Sequence, residues 1–331
     1  MSSDARQYVI GVDLGGTNIG VGTLSVDGRE LYGQLSEETP VDSGPTGVAD
    51  HIHSMIERSM VEAAGNGVPR EAILGIGVGA PGPLDRAHGV VIVAPNLGWR
   101  NFPLRDEISR RTNLPVTLDN DANCATLGEW WQGAARGGRH VIGLTIGTGI
   151  GGGLILDGRL FHGASDVAGE IGHTTIESNG RLCKCGNYGC LEAYASGTAI
   201  AARAREALDV GDASILPSLV DFDLSRITSQ TVYDAATRGD AVALEVVRQT
   251  ARFLGIGVSN LLNIFNPDVV VVAGGVTRAG EALFEPLRAE VKRRAFRPAV
   301  DACRIVPGVL PGTAGVVGAV ATFKAQHLDL A

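Results

Sequence analysis

The sequence HTTIESNGRLCKCGNYGCLE, residues 173–192, places three cysteines within eight residues, ten residues after a histidine. His173, Cys183, Cys185 and Cys190 offer one imidazole nitrogen and three thiolates, which make a closed tetrahedral zinc set. The alternative is a pair of disulfides, which would require an even number of cysteines and an oxidising compartment. The spacing therefore predicts a structural zinc loop, with no open ligand position at which water could be activated.

Composition limits the class of protein. The chain has 331 residues, enough for two domains of ordinary size, with 44% hydrophobic and 19% charged residues. A formal net charge of −8 and 5% aromatics argue against binding to a nucleic-acid backbone. The first residues lack the apolar core of a signal peptide, and no apolar run approaches the ~18 residues of a membrane span. We expect a cytoplasmic protein in which Cys124 and Cys303 are buried free thiols.

The first half begins with strands and then alternates strands with helices. A β-rich run at 8–13 is broken at 14–18, and two further strands, 19–26 and 29–35, are joined by an Asp27-Gly28 hairpin turn. Apolar periodicity then predicts helices at 46–64, 104–112 and 122–135, with strands at 73–79, 90–94 and 116–118.

The second half repeats the opening of the first. Val141-Ile142-Gly143 repeats Val9-Ile10-Gly11 at a distance of 132 positions, and Asp157-Gly158 repeats the earlier hairpin turn. A glycine-rich turn at 147–152 takes the place of the turn at 14–18. Two related halves that face each other would enclose a cleft between their glycine turns.

The second turn also has the G-x-G-x-x-G spacing of a dinucleotide-binding fold. That fingerprint requires a helix directly after the turn, whereas a strand and a hairpin follow here. Consecutive backbone amides in such turns can instead form an anion-binding concavity. The other interpretation, that the glycines merely make hairpin turns, stays open at this point. A third turn, Gly274-Gly275, lies between a buried strand at 269–273 and a predicted helix at 280–295, so it suits an adenosine or an α-phosphate.

Two motifs carry a family resemblance that covers the chain from Val9 to about Phe323. The turn DLGGT at 13–17 resembles the first phosphate motif of sugar kinases in the actin, hexokinase and heat-shock ATPase superfamily. The motif EIGH at 170–173, followed by CxCGxxGCxE at 183–192, resembles the signature of the ROK family of repressors, uncharacterised open reading frames and kinases.

The resemblance implies an α/β fold in which the actin-like (ribonuclease H-like) ATPase unit is duplicated as two lobes with a cleft between them. We expect the N-terminal lobe to comprise residues 1–118, completed by a C-terminal helix at 313–331. The C-terminal lobe would comprise residues 119–312 and carry the zinc loop at 173–190.

The resemblance also implies ATP-dependent phosphorylation of a hexose at its 6-hydroxyl, with glucose as the expected sugar. Asp121 would be the base that takes the hydroxyl proton, and Asp13 would position Mg²⁺. The sugar hydroxyls would be held by Asn96, Asn120, Asp121, Glu170, His173 and Glu192. The β- and γ-phosphates would be surrounded by Gly15, Gly16, Thr17, Gly147, Thr148 and Gly149, and the adenosine would lie near Gly274 and Gly275.

Other interpretations stay open at the sequence level. Asp121 also suits a helix N-cap, as do Asp119 and Asn120, and most glutamates are simply solvated. The function could be phosphorylation of mannose, fructose, allose or an N-acetylhexosamine, use of polyphosphate, or sugar sensing without catalysis. Repressors of the family carry an N-terminal DNA-binding domain, for which we expect no room before Val9. We also expect a homodimer or homotetramer.

Overall fold

The computed structural model describes residues 6–328, so residues 1–5 and 329–331 of the predicted lobes lie outside it. The first half forms a five-stranded sheet with the order β3-β2-β1-β4-β8 and a small three-stranded sheet with the order β5-β6-β7. Its elements are β1 (Tyr8–Leu14), β2 (Asn18–Ser25), β3 (Leu31–Glu38), α1 (Gly44–Gly65), β4 (Ile73–Ala80), β5 (Leu84–Asp85), β6 (Val90–Ala94), β7 (Trp99–Phe102), α2 (Leu104–Thr112) and β8 (Val116–Asn120).

The second half forms another five-stranded sheet, with the order β11-β10-β9-β12-β13. It is preceded by α3 (Asp121–Trp131) and contains β9 (Val141–Ile146), β10 (Ile150–Leu156), β11 (Arg159–Leu160), α4 (Glu192–Ala195), α5 (Gly197–Asp209), α6 (Ser229–Thr237), α7 (Ala241–Phe265), β12 (Val269–Ala273), α8 (Glu281–Arg294), α9 (Arg297–Ala302), β13 (Arg304–Pro307) and α10 (Ala314–His327).

The two large sheets have the same topology. In the first, β1 is antiparallel to β2 and parallel to β4, which is parallel to β8. In the second, β9 is antiparallel to β10 and parallel to β12, which is parallel to β13. Each sheet also has its own apolar core, covered by α1 and α2 in the first half and by α5 to α8 in the second. The predicted duplication is therefore confirmed.

Helices α3 and α10 cross between the two sheets. Each follows the last strand of one five-stranded sheet, α3 after β8 and α10 after β13. Helix α10 packs on β1 and β4, while α3 packs on β9 and β10. The crossing is close because a Cβ at Gly318 would overlap the carbonyl oxygen of Cys124, and one at Gly128 would overlap that of Ala314. Glycine is needed at both positions for the helix backbones to approach this closely. The division of the chain into lobes at 118/119 stays a prediction.

Most predicted elements are present, with boundaries shifted by a few residues. The third strand runs from Leu31 to Glu38 rather than over 29–35, and α3 ends at Trp131 rather than at 135. The sequence did not predict α6 or α9, which are short. Among the described residues, none of the helices combines the length and apolar character needed to cross a membrane.

Candidate active site

The zinc loop brings its four predicted ligands together. The ligand atoms of His173, Cys183, Cys185 and Cys190 all lie within 4.8 Å of one another. The Cys185 and Cys190 sulfurs are 3.7 Å apart, and the Cys183 sulfur is 3.7 Å from His173 Nδ1. Zinc–sulfur bonds of about 2.3 Å in a tetrahedron give a sulfur–sulfur edge of roughly 3.8 Å. The donor set and its spacing therefore fit a structural zinc ion.

His173 presents its two ring nitrogens to different partners. Nδ1 lies near the Cys183 sulfur, whereas Nε2 is 3.9 Å from Glu170 Oε2. A metal on Nδ1 would fix the orientation of the ring and leave Nε2 directed at the Glu170 side. The histidine can thus be a zinc ligand and still offer a polar atom towards the cleft.

Asp121 lies where β8 ends and α3 begins. The helix is capped by Asn120, whose side-chain oxygen accepts hydrogen bonds from the amides of Ala122 and Asn123. Asp121 is therefore not the cap, although its own carboxylate also accepts from the Ala122 amide. Burial and, to a smaller extent, the nearby charge of Glu170 raise the pKa of Asp121 to about 6, although the hydrogen bond from Ala122 opposes the shift. A carboxyl group with this pKa suits a general base near neutral pH.

Asp13 lies at the end of β1, close enough to Asp121 to feel its charge. A Cβ at Gly315 would overlap the Asp13 carboxylate, so this carboxylate lies against the first turn of α10. Burial raises the pKa of Asp13 to about 7, and the charge of Asp121 contributes to the shift. Two carboxyl groups with raised pKa values, one of which adds to the shift of the other, form a site that would gain from a bound cation.

The first glycine turn is closed by backbone hydrogen bonds. Gly15 donates to the carbonyl of Asn18, and the Thr39 amide donates to the carbonyl of Thr17. A Cβ added to Gly16 would come within 3.1 Å of the Asn96 Cβ, so Asn96 lies beside this turn. The structure therefore places the predicted sugar residue Asn96 next to the predicted phosphate residues.

The second glycine turn is held by the segment that follows the zinc loop. The Gly197 amide donates to the Gly147 carbonyl at 2.8 Å, and the Thr198 hydroxyl donates to the Thr148 carbonyl at 2.9 Å. Glu192 accepts a hydrogen bond from the Ile150 amide at 2.9 Å. The sequence analysis did not single out Thr198. A signal was present, because Ser196 before an apolar helix is typical of an N-cap, and Thr198 lies in the first turn of that helix.

The third glycine turn differs from the expected strand-turn-helix arrangement. Gly274 lies beside the second turn, since a Cβ there would overlap the carbonyl of Ile146. A 3-10 helix at Gly275–Ala279 then intervenes, and α8 starts at Glu281. Gly274 and Gly280 have φ values of 95° and 54°, and these left-handed residues bound the extra turn. The N-terminus of α8 therefore does not follow Gly274 and Gly275 directly.

Two sheets of one topology, with glycine turns and carboxyl groups where their strands end, define a duplicated, two-lobed α/β protein of the actin-like kinase fold. The chain belongs to the ROK family, whose model matches residues 9–326.

The most similar relatives include a glucokinase of Thermotoga maritima, which is 39% identical over 96% of this chain and 97% of the relative. A xylose repressor of Caldicellulosiruptor bescii is 35% identical over 97% of this chain and 79% of its own. A solved structure, a ROK family glucokinase from Streptomyces griseus in complex with glucose and AMPPNP, is 36% identical. It superposes with a TM-score of 0.83 over 95% of this chain and 98% of that one.

Proposed function

We propose that this chain transfers the γ-phosphoryl group of ATP to the 6-hydroxyl of glucose, giving glucose 6-phosphate and ADP. The observation that carries the proposal is the position of Asp121. Its carboxyl group, with a pKa raised to about 6, is close enough to Glu170 of the zinc-loop side to feel that charge, and close enough to Asp13 at the first glycine turn to raise the pKa of Asp13. The similarity to glucokinases from two bacteria supports glucose as the substrate and ATP as the donor.

In this proposal, Asp121 accepts the proton of the sugar 6-hydroxyl as its oxygen forms a bond to the γ-phosphorus. The bond between that phosphorus and the β,γ-bridging oxygen breaks, and ADP leaves with the electron pair. General base catalysis of this kind typically contributes ~10²–10⁴ in rate. The protein otherwise supplies position and neutralisation of charge, as phosphoryl transfer requires.

The sugar is held by side chains from both halves of the molecule. The proposed residues that bind it are Asn96, Asn120, Asp121, Glu170, His173 and Glu192. Because the Asn120 side-chain oxygen caps α3, its amide nitrogen is the atom that remains to donate to a hydroxyl. A site that pairs each hydroxyl rejects epimers, since a wrong epimer leaves buried polar groups unpaired.

The phosphates are held mainly by backbone amides. The proposed residues are Gly15, Gly16, Thr17, Gly147, Thr148 and Gly149, with Gly274 and Gly275 near the adenosine. Mg²⁺ prefers oxygen ligands, so Asp13 is the residue we assign to its positioning. The bound cation would favour the charged form of Asp13, which burial alone disfavours. Zn²⁺, when bound, supplies structural stability to the loop.

We further propose that the enzyme works in the cytoplasm on free hexose and ATP, without nucleic acid or membrane, as a homodimer or homotetramer. The absence of disulfides among the described cysteines, all of which are free thiols, is compatible with a reducing compartment.

The experiment measures ADP release from MgATP in the presence of glucose, mannose, fructose, allose and N-acetylhexosamines. Polyphosphate is tested as an alternative donor by the formation of sugar phosphate. We expect strong turnover with glucose and ATP, and ³¹P NMR of the product should show a phosphate ester at the 6-position. If another hexose is turned over preferentially, that hexose replaces glucose as the proposed substrate, and the proposed mechanism stands. A zinc-loaded, folded protein without turnover of any hexose would contradict the proposal and favour a sugar sensor.

A further inference from the structure

A buried ionic cluster lies immediately beside the proposed base and joins the two halves of the chain. Its centre is Asp119, which is fully buried at the end of β8. One carboxylate oxygen accepts hydrogen bonds from the Asn120 amide at 2.8 Å and from the Asn123 side chain at 3.1 Å. The other lies 2.8 Å from His162 Nε2 and 3.2 Å from Arg86 Nε.

The two basic partners come from different halves. Arg86 follows β5 in the first half, and the carbonyls of Arg86 and Ala87 accept hydrogen bonds from Arg105 of α2. His162 follows β11 in the second half. Arg86 also reaches Asp166, with 3.4 Å between Nη1 and Oδ1. One buried carboxylate, at the end of the strand that precedes Asp121, therefore ties the first half to the second.

The second-half residues of the cluster belong to a short closed segment, residues 161–170. The Phe161 amide donates to Leu154 of β10, and the Ala168 amide donates to the His162 carbonyl. The segment ends at Glu170, whose charge acts on Asp121. Any shift of the 161–170 segment would therefore change the position of Glu170 relative to the base.

The charges within the cluster are matched. Burial alone would raise the pKa of Asp119, but the hydrogen bond from His162 and the charge of Arg86 lower it. A buried carboxylate paired with the Arg86 guanidinium and the His162 imidazole is held strongly in place, because losing one partner leaves part of its charge uncompensated.

We propose that Arg86 and His162 are positioning residues that clasp the 161–170 segment to Asp119 across the two halves, and so hold Glu170 and Asp121 in the geometry that the sugar needs. The inference rests on the proposed sugar site. Binding geometry of this kind is sensitive, since displacement of a binding or catalytic group by about 1 Å is costly.

The test compares His162→Leu, which removes the donor, with His162→Gln, which keeps a side-chain N–H. The matched control is His88→Leu, because His88 makes an equally short contact with Asp85, 2.7 Å, but is exposed. The readouts are hydrogen exchange of the 161–170 amides, glucose affinity by calorimetry and, separately, affinity for a non-hydrolysable MgATP analogue.

For His162→Leu we expect faster exchange in the 161–170 segment and glucose affinity weaker by about tenfold, the effect of losing a hydrogen bond to a charged group. Nucleotide affinity should change by less than about twofold, a difference too small to represent a lost hydrogen bond. His162→Gln should recover part of the loss, and His88→Leu should behave as the wild type.

Unchanged exchange and glucose affinity in His162→Leu would overturn the clasp, as would equal weakening of glucose and nucleotide, which indicates general damage. If the wild-type protein binds glucose without phosphorylating it, the proposed function fails while the affinity comparison still decides on the clasp. If the wild-type protein binds no glucose, the hydrogen-exchange comparison of the 161–170 amides decides on the clasp.

Discussion

Three consecutive polar residues at the end of β8 have different roles because their surroundings differ. Asp119 is buried and paired with Arg86 and His162, so it stays charged. Asn120 caps α3, and Asp121 beside it has a raised pKa. The chemistry of each carboxylate therefore follows from its hydrogen-bond and charge partners, and its position in the sequence alone does not reveal it.

The raised pKa of Asp121 predicts the pH dependence of catalysis. The base acts as a carboxylate, so protonation as the pH falls through about 6 should abolish activity. Asp13, with a pKa of about 7 before a cation binds, is coupled to it, and the apparent values belong to the pair. With MgATP bound, the cation keeps Asp13 charged, so we expect kcat/KM for glucose to fall on the acid side of about pH 6, towards a tenfold loss per pH unit.

The measurement is the pH profile of kcat/KM at saturating MgATP, with buffers of constant ionic strength. Coupling enzymes should be in excess at every pH, and stability should be checked by circular dichroism. A profile that stays flat down to about pH 5 would show that no group with the raised pKa of Asp121 controls the reaction.

Residues close in sequence were predictable, and residues brought together by the fold were not. The four residues of the His/Cys cluster could be predicted to lie together because all four fall within an 18-residue window and their spacing has one main chemical use. The cluster around Asp119 was missed because His162 lies 43 positions away, and nothing local marks it as a partner. Predicting such pairs requires knowledge of how the strands are paired in the sheets.

At the scale of elements, strong apolar periodicity predicted the long helices, whereas the short elements contain too few residues to show a period. Helix α1, predicted at 46–64, has an apolar face and 22 residues, whereas α9 has six residues and β5 has two. The 3-10 helix after Gly274 was missed because both glycines that bound it adopt positive φ, which a sequence pattern does not reveal.

The contribution of the zinc loop to the sugar site can be tested by removing one of its metal ligands. The loop presents His173 Nε2 towards Glu170, and the helix that follows it supplies Glu192 to the second glycine turn. Cys185→Ser removes one thiolate, so we expect the zinc content to fall to well below one ion per chain. Glucose affinity should fall by at least about tenfold in the same variant, because the orientation of His173 is lost.

Zinc content should be measured by mass spectrometry of the metal and glucose affinity by calorimetry on the same sample. Cys303→Ser is the control, since Cys303 is a half-buried free thiol outside the cluster. Loss of zinc with normal glucose affinity in Cys185→Ser would show that the loop and the sugar site are independent.

At the scale of the whole molecule, duplication explains the position of the site. Each half contributes one five-stranded sheet and one helix that follows the last strand of that sheet. These helices, α3 and α10, cross between the sheets. Asp121 is the first residue of α3, and Asp13 lies against the first turn of α10. Both carboxyl groups are therefore placed by the crossing, where two halves that move relative to each other would enclose the reactants.

The proposed mechanism depends most directly on Asp121 as the base, and one comparison tests that role. Glucose binding and MgATP-dependent turnover should be measured for the wild type, for Asp121→Asn and for the exposed control Asp212→Asn. We predict that Asp121→Asn lowers kcat by about 10²–10⁴ while glucose still binds, and that Asp212→Asn matches the wild type. An Asp121→Asn protein that phosphorylates glucose within about tenfold of the wild-type rate would contradict the account.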